Sequence, residues 1–142
     1  MWRPYGMGLV LFLLLDGLWL GLAAKDLYAR EVGALLLDTP NWLPALLFYL
    51  GYPVGVVWLT GQPLRTDRAL APGAARGAAL RVSLAKGAVL GLLVYGTYDL
   101  TNLAVLKGWS PLITVVDIVW GTTLTAVVAW AAQWARRETR GV

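Results

Sequence analysis

The chain has 142 residues, of which 58% are hydrophobic and 14% are charged, and its mean hydropathy is +0.64. Soluble domains carry about 25% charged residues, so most of this chain is not expected to face water. The sequence contains no Cys and no His. Their absence excludes disulfides, thiolate nucleophiles, imidazole metal ligands and imidazole general bases. Any metal ion would have to be a hard cation held by oxygen atoms.

The net charge is +4. In a soluble chain such an excess would suggest nucleic acid, but in a membrane chain it is the usual signal of cytoplasmic loops. We therefore expect no nucleic-acid partner. The sequence also has no glycine-rich loop that would cradle a phosphate, and we expect no cofactor.

Four apolar segments are long enough to cross a bilayer, whose ~30 Å hydrocarbon core requires about 20 helical residues. A transmembrane barrel is excluded because its strands would be about 10 residues long and would alternate in polarity. The sequence therefore predicts an all-α fold, a four-helix transmembrane bundle that forms one integral membrane domain over residues 1–142. The predicted spans are residues 5–24, 41–60, 84–106 and 111–134.

Prolines lie where these helices are expected to begin, because the first turn of a helix needs no backbone N–H and favours the proline φ angle. Thr39 and Ser110 each precede such a proline and are predicted N-caps. Pro53 lies inside the second span and predicts a kink. The four prolines at predicted starts are Pro4, Pro40, Pro72 and Pro111.

Lys and Arg are distributed unequally between the two sides of the predicted bundle. The side with only three holds Lys25, Arg30 and Lys107. The positive-inside rule then predicts that both termini of this multi-pass membrane protein are cytoplasmic. The nine basic residues of the other side are Arg3, Arg65, Arg68, Arg76, Arg81, Lys86, Arg136, Arg137 and Arg140.

The basic loop over residues 61–83 is the only sizeable polar region of the sequence. It becomes rich in alanine after Pro72, so we expect the third helix to extend into it and to carry Arg76 and Arg81. We interpret the loop's arginines as determinants of topology. Docking to anionic lipid headgroups or to a nucleotide is the alternative interpretation.

Small residues four positions apart occur in every predicted span. Lipid provides no hydrophobic drive for helix association, so close packing depends on small side chains that let backbones approach. The pattern predicts a compact bundle, although some of these faces would serve equally well in a homo-oligomer. The pairs are Gly17 and Gly21, Gly51 and Gly55, Gly87 and Gly91, and Gly121 and Thr125.

Three carboxylates, Asp16, Asp99 and Asp117, lie inside the predicted spans. Each costs roughly 2.5 to 3.5 kcal/mol at the centre of a membrane helix. At 1.5 Å per residue all three fall roughly 9 to 12 Å below the same membrane boundary. The sequence therefore predicts that they share one level of the bundle.

Aromatic and amide side chains fall near that level. Tyr95, Asp99 and Asn102 share one helix face by their spacing. A D-x-x-W pattern occurs on both the first and the last span, at Asp16 and at Asp117. The predicted ligand- or proton-binding residues are Asp16, Trp19, Tyr49, Tyr52, Tyr95, Tyr98, Asp99, Asn102, Asp117 and Trp120.

No Lys or Arg lies in this part of any predicted span to pair with the acids. Desolvated carboxylates near one another favour protonation, so we expect one or two to be neutral at neutral pH, or a cation to lie among them. Asp99 and Asp117 are the predicted ligands of any metal ion. The alternative is that each acid merely accepts hydrogen bonds that join the helices, contacts worth only about 0.6 kcal/mol on average in membranes.

Two segments carry a family resemblance. Residues 95–102 read YGTYDLTN and residues 116–121 read VDIVWG, with a D-x-x-W-G motif at Asp117. Together with the segments around Asp16 and Tyr49, they resemble a family of small bacterial predicted membrane proteins catalogued as domain of unknown function 2177. The resemblance covers nearly the whole chain and implies a four-helix inner-membrane protein, but it implies no activity.

Three classes of function remain open at this point. The leading hypothesis is an intramembrane acidic and aromatic site that binds a proton, a cation or a small amphipathic ligand, in a role connected with transport. Four helices are few for a monomeric transporter, so this role would need at least a dimer. The second is an enzyme acting on a lipid-like substrate through paired carboxylates or an oxygen-ligated metal. The third is an accessory subunit of a larger membrane complex, and in every case membrane lipids are the expected surroundings.

Overall fold

The computed structural model describes residues 2–61 and 72–138, which are helical over most of their length and contain no strand. Five α-helices follow one another in these described residues, and two short turns of other helix types flank the second. The elements are α1 (Trp2–Leu18), a π-helical turn (Trp19–Ala23), α2 (Lys25–Val32), a 3₁₀ turn (Gly33–Leu35), α3 (Trp42–Thr60), α4 (Pro72–Val105) and α5 (Pro111–Glu138).

The predicted four-helix transmembrane fold is confirmed. Four segments of the described chain are long and apolar enough to cross a membrane: Trp2–Ala23, Trp42–Thr60, Gly73–Val105 and Pro111–Arg136. The third is longer than its predicted span because α4 begins at Pro72, as the alanine-rich end of the basic loop indicated. Large apolar side chains are exposed along all four helices, as expected where lipid replaces water as the solvent.

The helix starts agree with the prolines at two places and differ at a third. Pro72 and Pro111 each open a helix, and the Ile113 backbone N–H donates to Ser110 Oγ at 3.4 Å, so Ser110 is an N-cap. The predicted N-cap at Thr39 is wrong, because α3 begins at Trp42 after an extended Asn41. Pro44 fits in the first turn of this later start, where a backbone N–H has no helical partner.

The helix α5 is the centre of the bundle and packs against α1, α3 and α4. Half of its most apolar stretch is buried, against 17 to 22% in the other three spans. The helices α1 and α4 do not contact each other along the described chain. A gap between α1 and α4 is therefore bridged only by α3 and α5.

The helices α1 and α5 run antiparallel. A side chain at Gly8, near the start of α1, would meet Val128 and Ala132 of α5, while Asp16 near the end of α1 contacts Trp120. The first turn of α1 and the last turn of α5 thus lie at one end of the bundle. The side of the membrane that this end occupies stays a prediction, and Arg65, Arg68 and Arg140, on which that prediction also depends, lie outside the described residues.

Small residues bring α4 and α5 into close contact. A Cβ at Gly87 would lie 2.7 Å from the backbone oxygen of Thr125, and a Cβ at Gly91 would lie 2.9 Å from the Cα of Thr122. At Gly121 it would overlap the ring of Tyr95. The small-residue pairs predicted for α4 and α5 therefore do pack within the chain.

The small-residue pairs of the first two spans do not pack in this way. A Cβ at Gly17, Gly21, Gly51 or Gly55 would meet none of the described atoms within 4 Å outside its own helix. These two pairs therefore do not join helices within the described chain, where α1 and α3 meet through bulkier side chains, and their use in a homo-oligomer stays a prediction. Phe12, fully buried, packs its ring against those of Phe48, Tyr49 and Tyr52.

A short amphipathic helix, α2, packs against α5 at the end of the bundle opposite the first turn of α1 and the last turn of α5. Ala24 and Val32 are buried on its inner face, with Tyr28 half-buried between them. Ser110 Oγ, which precedes α5, donates to Glu31 Oε2 at 2.5 Å. The sequence prediction left this region without a helix, although the spacing of residues 24, 28 and 32 is helical.

Candidate functional site

A cavity of about 430 Å³ lies between α1, α3 and α4, with α5 as its floor and α2 across one end. We call it the acidic cavity. Its volume falls within the range of roughly 300 to 1,000 Å³ that is usual for ligand sites. The lining residues are Asp16, Trp19, Leu20, Tyr28, Phe48, Tyr49, Val94, Tyr95, Tyr98, Asp117 and Trp120.

The carboxylate of Asp16 is held by two donors from other helices. Tyr49 Oη on α3 donates to Asp16 Oδ2 at 2.7 Å, and Trp120 Nε1 on α5 donates to Asp16 Oδ1 at 3.2 Å. Only 5% of Asp16 is exposed. Each oxygen thus has a neutral donor, which fixes the position of the carboxylate without supplying a positive charge.

The second carboxylate, Asp117, is approached from the end of the bundle. Tyr28 of α2 donates a hydrogen bond to Asp117 Oδ1, and Asp117 is 8% exposed. The two acids therefore come from α1 and α5, which are far apart in the chain, and border the same space.

The two D-x-x-W patterns meet at the wall of the acidic cavity. Trp19 and Trp120 stack with ring centroids 4.4 Å apart and an angle of 8° between the rings. Trp19 opens the π-helical turn, which is closed by the Ala24 N–H donating to Trp19 O at 2.8 Å. Such turns occur often at functional sites, where the extra residue re-aims a side chain.

The acidic cavity opens sideways, through the gap between the helices. Its most exposed lining side chains are apolar or aromatic: Leu20, Phe48, Val94 and Tyr98 are 38 to 57% exposed. At 1.5 Å per residue, Phe48 and Tyr98 lie about 9 and 11 Å from the nearer ends of α3 and α4. The opening is therefore at a depth where the membrane helices face hydrocarbon.

The charge of the lining is of one sign. Two carboxylates border the cavity, and none of its lining residues is Lys or Arg. Seven aromatic residues supply most of the wall, with the faces of their rings carrying partial negative charge. Among the described residues the cavity therefore offers carboxylate and π-electron density and no fixed positive charge.

Asp99 does not line the acidic cavity. It is fully buried, and neither of its carboxyl oxygens has a hydrogen-bond partner among the described residues. The register that sets Gly91 against Gly121 and Thr122 places Asp99 at the level of Thr114, on the α4–α5 seam. Asp99 shares a helix face with the lining residue Tyr95 but lies one turn beyond it, at a fully buried position outside the cavity.

Two other predicted site residues also lie outside the lining. Tyr52 Oη shares a hydrogen bond with Thr125 Oγ1 at 2.7 Å, deeper between α3 and α5. Asn102 is half-buried on α4 beyond the cavity wall. The structure therefore brings together seven of the ten predicted residues: Asp16, Trp19, Tyr49, Tyr95, Tyr98, Asp117 and Trp120.

The predicted metal pair receives no support from this arrangement. Asp99 and Asp117 do not border a common space, and the described residues contain no group of three or more acidic side chains placed to hold a metal ion. The acid that accompanies Asp117 is Asp16 instead. A pair of carboxylates already engaged by neutral hydroxyl and indole donors is a sparse ligand set for a hard metal ion, which takes six or more oxygens.

Four lining residues were not among those predicted from the sequence: Leu20, Tyr28, Phe48 and Val94. Tyr28 was missed because its helix was missed. Phe48 adjoins Tyr49 in the chain and lies one turn from Tyr52, so the aromatic run of the second span was the available signal. Leu20 and Val94 carry no signal, since apolar residues are the rule in a membrane helix.

The chain belongs to the DUF2177 family, described as predicted membrane protein, whose model matches residues 2–134. This match includes both D-x-x-W patterns and every residue that lines the acidic cavity. Comparison with curated proteins and with solved structures finds no match. The family thus establishes a membrane protein, and the function has to be argued from the cavity.

Proposed function

We propose that this member of the DUF2177 family binds a small cationic ligand inside the membrane, as the binding step of a transport-related function. The observation that carries the proposal is the convergence of Asp16 and Asp117, from α1 and α5, on one aromatic cavity without a basic residue in its lining. The two carboxylates have no positively charged partner among the lining residues, and a bound cation would supply that charge.

The energetics favour a ligand over a purely structural role. An acid at the centre of a membrane helix costs roughly 2.5 to 3.5 kcal/mol. Hydrogen bonds between membrane helices return about 0.6 kcal/mol on average and at most about 1.7 kcal/mol each. At the average value, the two bonds to Asp16 and the one to Asp117 therefore offset the cost of two acids only in part. Function is the usual reason for retaining such residues.

The presence of a cavity also favours ligand binding over the role of an accessory subunit. A protein that acts only by packing needs no internal space beside its buried acids. Here about 430 Å³ is left open next to both carboxylates. Because four helices are few for a transport path, we propose that transport would require a second copy, which the open faces at Gly17, Gly21, Gly51 and Gly55 have room to accommodate.

The proposal is tested by thermal unfolding of the purified protein in detergent with increasing tetramethylammonium, K⁺ or Mg²⁺ chloride. At least one cation should raise the midpoint, since a ligand at 100 times its Kd stabilises a protein by about 2.7 kcal/mol. The rise should disappear in the Asp16→Asn/Asp117→Asn double variant. Asp38→Asn, a change of the same kind at an exposed residue outside the helices, is the matched control and should respond like the wild type. Equal responses from all three proteins would refute the proposal.

A further inference from the structure

We infer that the ligand of the acidic cavity is an amphipathic ammonium ion, which enters from the lipid through the side opening. This inference rests on the proposed function and specifies its ligand. It depends on three features of the cavity: the composition of its wall, the position of its acids and the direction of its opening.

The wall matches an alkylated ammonium group better than it matches an inorganic cation. Trp19, Trp120 and Tyr95 border the space that Asp16 and Asp117 also border. Aromatic faces bind quaternary ammonium groups through cation–π attraction, and they offer no lone pairs to replace the water shell of K⁺ or Mg²⁺. An alkylated ammonium ion carries no such tightly held shell. The lining therefore favours an organic cation.

The acids lie at the inner part of the cavity, away from its opening. Asp16 and Asp117 are 5% and 8% exposed, whereas Tyr98 at the opening is 57% exposed. A ligand that places its charged group between the acids therefore leaves its remaining atoms against Phe48 and Val94. These positions suit a hydrocarbon chain.

The opening indicates the route. Leu20, Phe48, Val94 and Tyr98 present apolar surface at the depth of the spans, while α2 lies across the end of the cavity and is held there by Tyr28 and Glu31. The exposed lining side chains thus lie on the side that faces hydrocarbon. A ligand that is soluble in lipid therefore reaches the acids from that side, and its hydrocarbon chain extends into the bilayer.

The test measures radiolabelled decyltrimethylammonium bound to the full chain in lipid nanodiscs, with protein-free nanodiscs subtracted. We expect saturable binding that unlabelled decyltrimethylammonium displaces. Tetramethylammonium should compete at least about tenfold more weakly, because it buries no chain. The neutral 1-decanol, with the same chain length, should not compete at matched concentration in the lipid.

Two variants examine the aromatic wall in the same assay. Trp19→Leu removes a ring from the wall without removing any hydrogen bond that the structure shows, since Trp19 Nε1 has no partner among the described residues. It should weaken binding about 2- to 30-fold, the range of a cation–π contact. The control is Trp58→Leu, which changes an indole that is 60% exposed on α3 outside the cavity, and it should bind like the wild type.

The outcomes distinguish the inference from the proposed function. If tetramethylammonium or K⁺ binds as tightly as decyltrimethylammonium, and Asp16→Asn/Asp117→Asn abolishes that binding, the inference is wrong and the cation site stands. An equal effect of Trp19→Leu and Trp58→Leu also contradicts the inference. If decyltrimethylammonium binds equally to the wild type and the double variant, or if no cation binds above background, both proposals fail.

Discussion

Tyr28, on the short helix α2, donates its hydroxyl hydrogen bond to Asp117 in the second turn of the helix α5. These residues are 89 positions apart. Their hydrogen bond joins α2 to one of the two acids of the acidic cavity. A ligand cation that approaches Asp117 therefore also acts on the contact that holds α2 in place.

Tyr28→Phe should loosen α2 and leave the transmembrane bundle folded. The change removes one hydrogen bond and keeps the ring, so the loss of stability should be about 1 kcal/mol or less. Amide hydrogen exchange should become faster in residues 25–32 and remain unchanged in α5. The control is Tyr5→Phe, whose hydroxyl bonds to Leu50 O at 3.2 Å far from α2. Unaltered exchange in α2 would show that Tyr28 does not hold it.

Gly91→Ala should destabilise the seam between α4 and α5. The added methyl group would meet backbone atoms of α5, which cannot move aside as a flexible side chain would. Overpacking of this kind costs roughly 1 to 3 kcal/mol. The measurement is the unfolding midpoint in a mixed-micelle denaturant titration.

The matched control for Gly91→Ala is Gly77→Ala on the same helix. Gly77 is exposed, and a Cβ there would meet nothing within 4 Å. Because alanine favours the helix over glycine by up to about 1 kcal/mol, Gly77→Ala should be neutral or stabilising. Equal destabilisation by both changes would mean that close contact is not what Gly91 provides.

Asp99→Asn should affect stability and not ligand binding. Asp99 is buried without a hydrogen-bond partner among the described residues and lies outside the cavity lining. The amide is nearly isosteric and less costly to bury than an ionised carboxylate, so the unfolding midpoint should stay the same or rise. The Kd of decyltrimethylammonium should change by less than about twofold, a difference below 0.5 kcal/mol. A tenfold loss of decyltrimethylammonium affinity would contradict this prediction and show that Asp99 contributes to the ligand site.

The architecture could be predicted from the sequence because a bilayer imposes it. A length of about 20 apolar residues decides which segments span, and the four predicted spans correspond to the four long helices. The helix α2 was not predicted, since its eight residues form no apolar run. Only the helical spacing of Tyr28 and Val32 with the preceding Ala24 indicates it. Its position depends on contacts with Ser110 and Asp117, which are distant in sequence.

The sequence predicted the depth of the site residues in the membrane, but it did not predict which of them face a common cavity. Counting residues from the span ends placed three acids at one level, and two of them, Asp16 and Asp117, border one cavity. Asp99 differs because the packing of Gly87 and Gly91 against α5 sets how α4 is turned about its axis. The spacing of Gly87 and Gly91 predicted that this face of α4 packs closely, but it did not indicate that the partner is α5.

The most direct test of the central claim is a calorimetric titration of the purified protein with decyltrimethylammonium below its micelle concentration, compared with the Asp16→Asn/Asp117→Asn double variant. We predict one saturable site per chain in the wild type and in Asp38→Asn, and no saturable heat in the double variant. The same binding curve for all three proteins would contradict the claim that these two carboxylates form a cation site.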